Sequence, residues 1–231
     1  MSTQRGYFTA DEVRAAEAEL FTRVPDGVPM QRAAYGLAKV VAAELRARTG
    51  GVAGRAVTLL VGSGDNGGDA LWAGSMLRRR GVEVAAVLLN PARAHTKGLA
   101  ALRKAGGRVR AEVGSPDLVV DGIVGISGRG SLRPDAAELV AGLRVPIVAA
   151  DLPSGVDPDT GAVTGPAVRA ARTGGVGGGK PGALRAGPEW GGPGGTRAPR
   201  RPPGGAATRK PARYPPPPAA PTSRWRSART S

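Results

Sequence analysis

Three short stretches of this chain carry the residue types that could do chemistry, and each closes an apolar run. Gly62-Ser63-Gly64-Asp65-Asn66-Gly67-Gly68-Asp69 follows AVTLLV. Asp121 lies within LVVDGIVG and is followed by Gly125-Ile126-Ser127-Gly128-Arg129-Gly130-Ser131. Asp151-Leu152-Pro153-Ser154-Gly155-Val156-Asp157 follows the run from Pro146 to Ala150. Glycine-rich turns that open a helix offer backbone amides and a helix dipole to phosphate, and Gly62, Gly64 and Gly67 satisfy G-x-G-x-x-G. Asp65 and Asp69 would repel that phosphate unless a cation intervenes. The segment after the next apolar run, LLNPAR, supplies no acid for a ribose hydroxyl pair, which argues against an ordinary nicotinamide dehydrogenase. A carboxylate at the end of a buried strand, as at Asp121, is costly unless paired, protonated or bound to a cation. Taken singly, the loops have plainer readings: tight strand–helix packing, a turn cap, an Asx cap. Taken together, Asp65, Asp69, Asp121 and Asp151, with Asn66 and Ser154, gather hard oxygen ligands beside amide-rich turns. That set suits a monovalent or hard cation next to a phosphate-bearing ligand.

The elements that must position these loops alternate in hydrophobic period. Thr9 ahead of ADEVRAAEAELFTRV, with Glu12 three residues on, fits a capping box, and Val13, Ala16, Leu20 and Phe21 recur at helical spacing. A second helix is expected from about Pro29 to Thr49, stopped by Gly50-Gly51. Ala56–Val61 reads as a strand buried on both faces. Helix Gly67–Arg80, strand Val82–Leu89, helix Ala94–Ala105, strand Leu118–Val124, helix Asp135–Leu143 and strand Pro146–Ala150 then alternate. Such alternation predicts an α/β fold, a Rossmann-like three-layer αβα sandwich with a mostly parallel sheet. Ligands of such sheets bind at the carboxyl ends of the strands, where the three loops fall.

Composition limits the remaining possibilities. The 231 residues hold 33 basic and 18 acidic side chains, a formal charge of +15. Residues 172–231 contribute 12 Lys/Arg against the single acid Glu189, together with 12 of the 21 prolines and 13 of the 37 glycines. Val176 and Leu184 are the only branched aliphatics there. This segment cannot bury enough apolar surface to offset its ordering entropy, so the expected domain is 1–171 and 172–231 is expected to be a disordered Arg/Gly/Pro-rich tail. No cysteine is present, which excludes thiol nucleophiles, disulfides and Cys-ligated metals, and one histidine, His95, excludes a His-rich metal site. The acids within the first twenty residues do not fit a secretory leader, and no apolar run approaches the roughly 20 residues of a membrane span. A soluble, cytoplasmic protein is expected.

At the three loops the chain resembles a known family. GSGDNGGDALWAGSMLRRRG resembles the G-x-G-N-N-G-G-D-G signature of the NAD(P)H-hydrate epimerases, the YjeF N-terminal domain family. VVDGIVGISGRG and VAADLPSGVDPDTG resemble two further segments, V-D-A-[LI]-F-G-[TI]-G and V-D-[IL]-P-S-G-[LV]-x-x-x-[TS]-G. The opening TADEVRAAEAELF…MQRAAYGLA is similar to the family's first helices, so the resemblance covers about residues 8–171. The resemblance implies an isomerase that interconverts the R and S forms of hydrated NADH and NADPH, a repair step for nicotinamide nucleotides. It implies potassium as the cofactor, held at Asn66, Asp121 and Ser154. It implies that the hydrated dinucleotide is bound by Asp65, Asn66, Gly67, Gly68 and Asp69, by Gly125, Ile126, Ser127, Gly128, Arg129, Gly130 and Ser131, and by Asp151. Epimerisation needs a proton moved at oxygen or nitrogen, and Asp151 is the candidate catalytic acid/base. The partners so implied are that small-molecule substrate and a separate NAD(P)H-hydrate dehydratase; a homodimer is the oligomer to test for, and neither membrane nor nucleic acid is expected.

Two departures stand out. Asp65 occupies a position where the family more often has Asn. After Ala170, where the family continues into an A-D-x-T-[VI]-[TS]-F strand, this chain reads AARTGGVGGGKPGALRAGPEW. That composition is what a GC-rich frame read out of phase gives, and it predicts loss of the C-terminal strands and an exposed sheet edge. The rival function is a non-catalytic dinucleotide- or RNA-binding module of the same fold. A basic tail carrying Trp190, Tyr214 and Trp225 would bind RNA by charge and stacking.

Overall fold

The computed structural model describes residues 8–174. The elements run α1 (Ala10–Phe21), α2 (Val28–Thr49), β1 (Ala56–Val61), α3 (Asp65–Arg78), β2 (Glu83–Leu88), a 3-10 turn (Pro91–Arg93), α4 (Thr96–Lys104), β3 (Arg108–Val109), β4 (Leu118–Gly122), α5 (Pro134–Ala141), β5 (Ile147–Ala150) and β6 (Arg172–Gly174). The six strands form one sheet in the order β3-β2-β1-β4-β5-β6, and every pairing is parallel. The order reverses between β1 and β4, which makes the carboxyl ends of these two strands the topological switch point.

The apolar strands need cover on both faces, and the chain supplies it unequally. Leu37, Val41 and Leu45 of α2, Leu71 and Leu77 of α3 and Leu102 of α4 pack with Val57, Leu59, Val120 and Val148 on one face. On the other face Leu60, Val119, Ile147 and Ala149 meet Ala136 of α5 and Val168 and Ala170 of the connection leading to β6. Helices therefore layer a parallel sheet on both sides, the three-layer arrangement expected.

The capping box at α1 forms as expected: Glu12 N–H donates to Thr9 Oγ1 at 3.2 Å, and Thr9 N–H donates to Glu12 Oε2 at 2.8 Å. Three differences from the sequence reading stand out. The helix expected from Gly67 begins at Asp65, with Gly64 as its N-cap in extended backbone, so Asp65–Asp69 is the helix's opening rather than a loop before it. β3, only two residues long, has no sequence signal. The third difference is β6. Residues 172–174, assigned to the tail, form a sixth strand against β5, with Val148, Ala149 and Ala150 opposite Arg172, Thr173 and Gly174. Arg-Thr-Gly has little apolar content, and its place is set by ladder bonds, by burial of Thr173 and by an ion pair from Arg172 to Glu44. The boundary at 171/172 thus cuts through the sheet. The remainder of the expected tail, 175–231, lies outside the described residues.

Candidate functional site

The carboxyl ends of β1, β4 and β5 open into a cleft of about 830 Å³. Its floor begins with a close backbone approach. Gly62 N–H donates to Gly122 C=O at 3.0 Å, and a Cβ on Gly62 would stand 1.8 Å from Ile123 O. Only a residue without a side chain lets the turn after β1 lie against the turn after β4. Gly67 has the same role in the first turn of α3, since a Cβ there would stand 2.3 Å from Gly62 O.

Asp121 lies beneath this floor, fully buried at the end of β4. Ser154 N–H donates to its Oδ2 at 2.9 Å and the Ser154 hydroxyl to its Oδ1 at 2.7 Å, while Ile123 N–H also donates to Oδ1 at 3.1 Å. Burial pushes the Asp121 carboxyl up to about 6, against the opposing pull of the Ser154 amide and hydroxyl and the Ile123 amide. The Ser154 hydroxyl in turn accepts from Val124 N–H at 3.0 Å. One carboxylate thereby ties the second loop to the third. The first loop joins through Asn66, whose side-chain amide donates to Ala150 O at 3.0 Å. A Cβ on Gly125 would stand 2.9 Å from Asn66 Oδ1, so the second loop rests on that amide oxygen.

Asp151 follows β5 directly and lines the cleft. Its φ of 65° makes it the one non-glycine residue with left-handed backbone among the described residues. Aspartate tolerates that region better than most residues, yet it holds only where neighbours fix it. Asp157, at the far end of this loop, accepts from Thr160 Oγ1 and N–H and from Asp159 N–H. The Thr160 bonds hold its carboxyl below the usual range, as befits a turn cap.

The structure brings most of the expected residues together. Asp65, Asn66, Asp69, Asp151, Ser154 and the whole of Gly125–Ser131 line the cleft. Gly67 and Gly68 are not among its lining residues: Gly68 packs instead against Met30 and His95, and both glycines are buried in the opening turns of α3. Asp121 likewise sits one layer below the rim, reaching the cleft through Ser154.

Several lining residues had no counterpart in the sequence reading. Arg14 and Glu17 of α1 form a wall of the cleft, and Arg14 Nη2 donates to Ile126 O at 3.1 Å. The amide of Ala10 donates to Asp159 Oδ1 at 2.7 Å, so α1 bridges the second and third loops. The 3.6 spacing of α1 shows a helix but not where it docks. Asn90, just past β2, and Gly174 of β6 also line the cleft. Asn90 was open to discovery, because it ends a parallel strand on the ligand-binding rim.

The donor set fits a potassium ion on chemical grounds. Asn66 Oδ1, the Asp121 carboxylate and Ser154 Oγ are hard oxygens carrying one negative charge, and every hydrogen-bond partner of that desolvated carboxylate is neutral. Among the described residues, no group of three or more His, Cys, Asp or Glu is placed to hold a metal ion.

Comparison with known proteins agrees with this architecture. The family described as YjeF-related protein N-terminus matches residues 27–182. The bifunctional NAD(P)H-hydrate repair enzyme Nnr of Mycobacterium tuberculosis is 58% identical over 181 residues, 77% of this chain and 38% of that protein. The chain therefore spans well under half the length of this relative. An NAD(P)H-hydrate epimerase of Clavibacter sepedonicus is 40% identical over 204 residues, covering 78% of this chain and 83% of its own length. The crystal structure of yeast ynu0 superimposes with a TM-score of 0.62 over 77% of this chain and 82% of the yeast chain, at 23% identity, and so shares the fold. With the matched segment spanning all three loops and the whole sheet, the chain belongs to the YjeF-related protein N-terminus family.

Proposed function

We propose that this protein epimerises hydrated NADH and NADPH, with potassium bound beside the substrate. The observation that carries the reading is Asp151: an acid held in left-handed backbone at the end of β5, on the wall of a cleft large enough for a dinucleotide. Relatives named as NAD(P)H-hydrate epimerases over most of their length support it.

In this reading the glycine-rich turns at Gly62–Gly64 and Gly125–Ser131 direct amides at the pyrophosphate, and Arg14 keeps the second turn in place through Ile126 O. Asn66, Asp121 and Ser154 would hold potassium, which offsets the charge that Asp65 and Asp69 add beside the phosphates. The hydrated ring lies toward Asp151. There the carboxyl gives a proton to the departing hydroxyl, or to the ring nitrogen as the ring opens, and takes it back when the opposite configuration forms. No net oxidation occurs.

The test is an epimerisation assay in which an S-specific dehydratase is in excess and consumption of the R form is followed. Asp151→Asn is the informative variant, because Asn tolerates left-handed backbone as well as Asp does and only the proton-transfer group is lost. Turnover should fall by about 10²–10⁴ with the melting temperature unchanged. Wild-type turnover in that variant removes Asp151 as the acid/base.

A further inference from the structure

The turn at Asp151 is closed locally by Leu152 N–H donating to Ala150 O at 2.8 Å, and it is tied to the rest of the sheet by a bond to β6. Asp151 N–H donates to Gly174 O at 2.7 Å, and Gly174 itself lines the cleft. Among the described residues β6 is an edge strand of three residues paired with β5 alone. Three ladder residues with one buried threonine side chain are a weak hold for such a segment. The stronger hold comes from α2. Glu44 is buried there, and its carboxylate is shared by two guanidiniums: Arg48 Nε on Oε1 and Arg172 Nε on Oε2, each at 2.5 Å. Burial alone would raise the Glu44 carboxyl, but its bonds to Arg48 and Arg172 outweigh that and keep it below the ordinary value, so the pair is charged at neutral pH. Arg48 belongs to the same helix as Glu44. Only Arg172 reaches across 128 residues of sequence to tie β6 down. At the other end of the strand, a Cβ on Gly174 would come within 3.2 Å of Leu37 and 3.3 Å of Val40, so α2 presses on β6 there as well.

We infer that Arg172 is a positioning residue for Asp151: the Glu44–Arg172 ion pair sets β6, and β6 holds the Asp151 backbone through the Gly174 carbonyl. The inference rests on the proton-transfer reading of Asp151 only for its effect on rate; the geometric part stands by itself.

Backbone amide exchange of the full-length protein, resolved by NMR, separates the two. In Arg172→Ala the Asp151 amide should exchange at least about tenfold faster while amides of β1 and β4 keep their protection. In the epimerisation assay kcat should fall with KM moving less than about twofold, and Arg172→Lys should restore part of both effects. If Arg172→Ala fails to fold, Glu44→Gln weakens the same pair while keeping its shape and should move the same amide in the same direction. An Asp151 amide at its wild-type rate in these variants overturns the inference, as does acceleration spread equally over β1 and β4. Should Asp151→Asn turn over normally while Arg172→Ala still frees the Asp151 amide, the catalytic reading fails and the positioning role remains.

Discussion

The two rims of the same sheet use polar side chains in opposite ways. At the amino ends of the strands, side chains close off backbone groups. Arg78 donates to Val82 O at 2.8 Å and to Ala105 O at 3.4 Å, Arg55 to Thr49 O at 2.9 Å, and Thr58 to Val113 O at 2.8 Å, while Asp117 accepts from Ala56 N–H at 2.8 Å. The space left there is about 160 Å³. At the carboxyl ends, Asp121, Ser154 and Asn66 bond loop to loop, Asp65, Asp69 and Asp151 line a cleft about five times larger, and glycines replace side chains wherever two turns must touch. One rim is capped and the other is held open by its own polar latch. The difference separates the charges that close off the fold from those that line an open cleft.

The contrast can be broken most severely at Gly62. Gly62→Ala puts a methyl 1.8 Å from Ile123 O, at a point where both partners are backbone. Unfolding in urea should show a loss of at least about 3 kcal/mol, the upper part of the overpacking range. Stability near that of the wild type would mean that the two turns are not in the contact described.

The next effect is on pH dependence. The Asp121 carboxyl rises from 3.8 to about 6 on folding, so between these values the folded chain keeps a proton that the unfolded chain has lost. Its stabilising contribution is present below about pH 4 and is lost as pH rises through 6, a total of about 3 kcal/mol at 1.36 kcal/mol per unit. In potassium-free buffer this decline should appear in urea titrations at successive pH values and be absent from Asp121→Asn. A wild type whose stability is flat across that window contradicts the buried-carboxyl account.

At the capped rim, Arg78→Ala leaves the Val82 and Ala105 carbonyls without their side-chain donor and should cost about 1–2 kcal/mol, with epimerisation unchanged. A loss of turnover without a loss of stability would invert the assignment of the two rims. The smallest expected effect is that of potassium. At ten times its dissociation constant it should add about 1.4 kcal/mol, seen as a rise in melting temperature that sodium does not give and Asp121→Ala abolishes.

How legible these features were in the sequence depended on whether the signal was local. β1 matches its expected bounds because a run of six residues, apolar but for Thr58, is stopped by Arg55 on one side and Gly62 on the other. The three loops were found because chemistry-bearing residues cluster within a few positions and at strand ends. The sequence places Asp121 on the rim, whereas it lies below it, since depth is set by the Ser154 bonds rather than by sequence neighbours. Gly67 and Gly68 read like phosphate-binding glycines, but helix packing against Gly62, Met30 and His95 claims them. β6 and α1's docking were hidden for one shared reason. Arg172 answers to Glu44, Ala10 to Asp159 and Arg14 to Ile126, and each pair is more than 100 residues apart.

The cover of the β5–β6 half of the sheet has a consequence for synthesis. The connection between these parallel strands contains no helix, and the face above them is roofed by α2, from residues 28–49. A ribosome makes this roof more than 90 residues before the strands it covers. Until β5 and β6 are made, α2 has α3 as its main partner and only part of its final cover. The core of residues 8–174 therefore closes only once β6 is made, and until then the apolar stripe of α2 needs shelter.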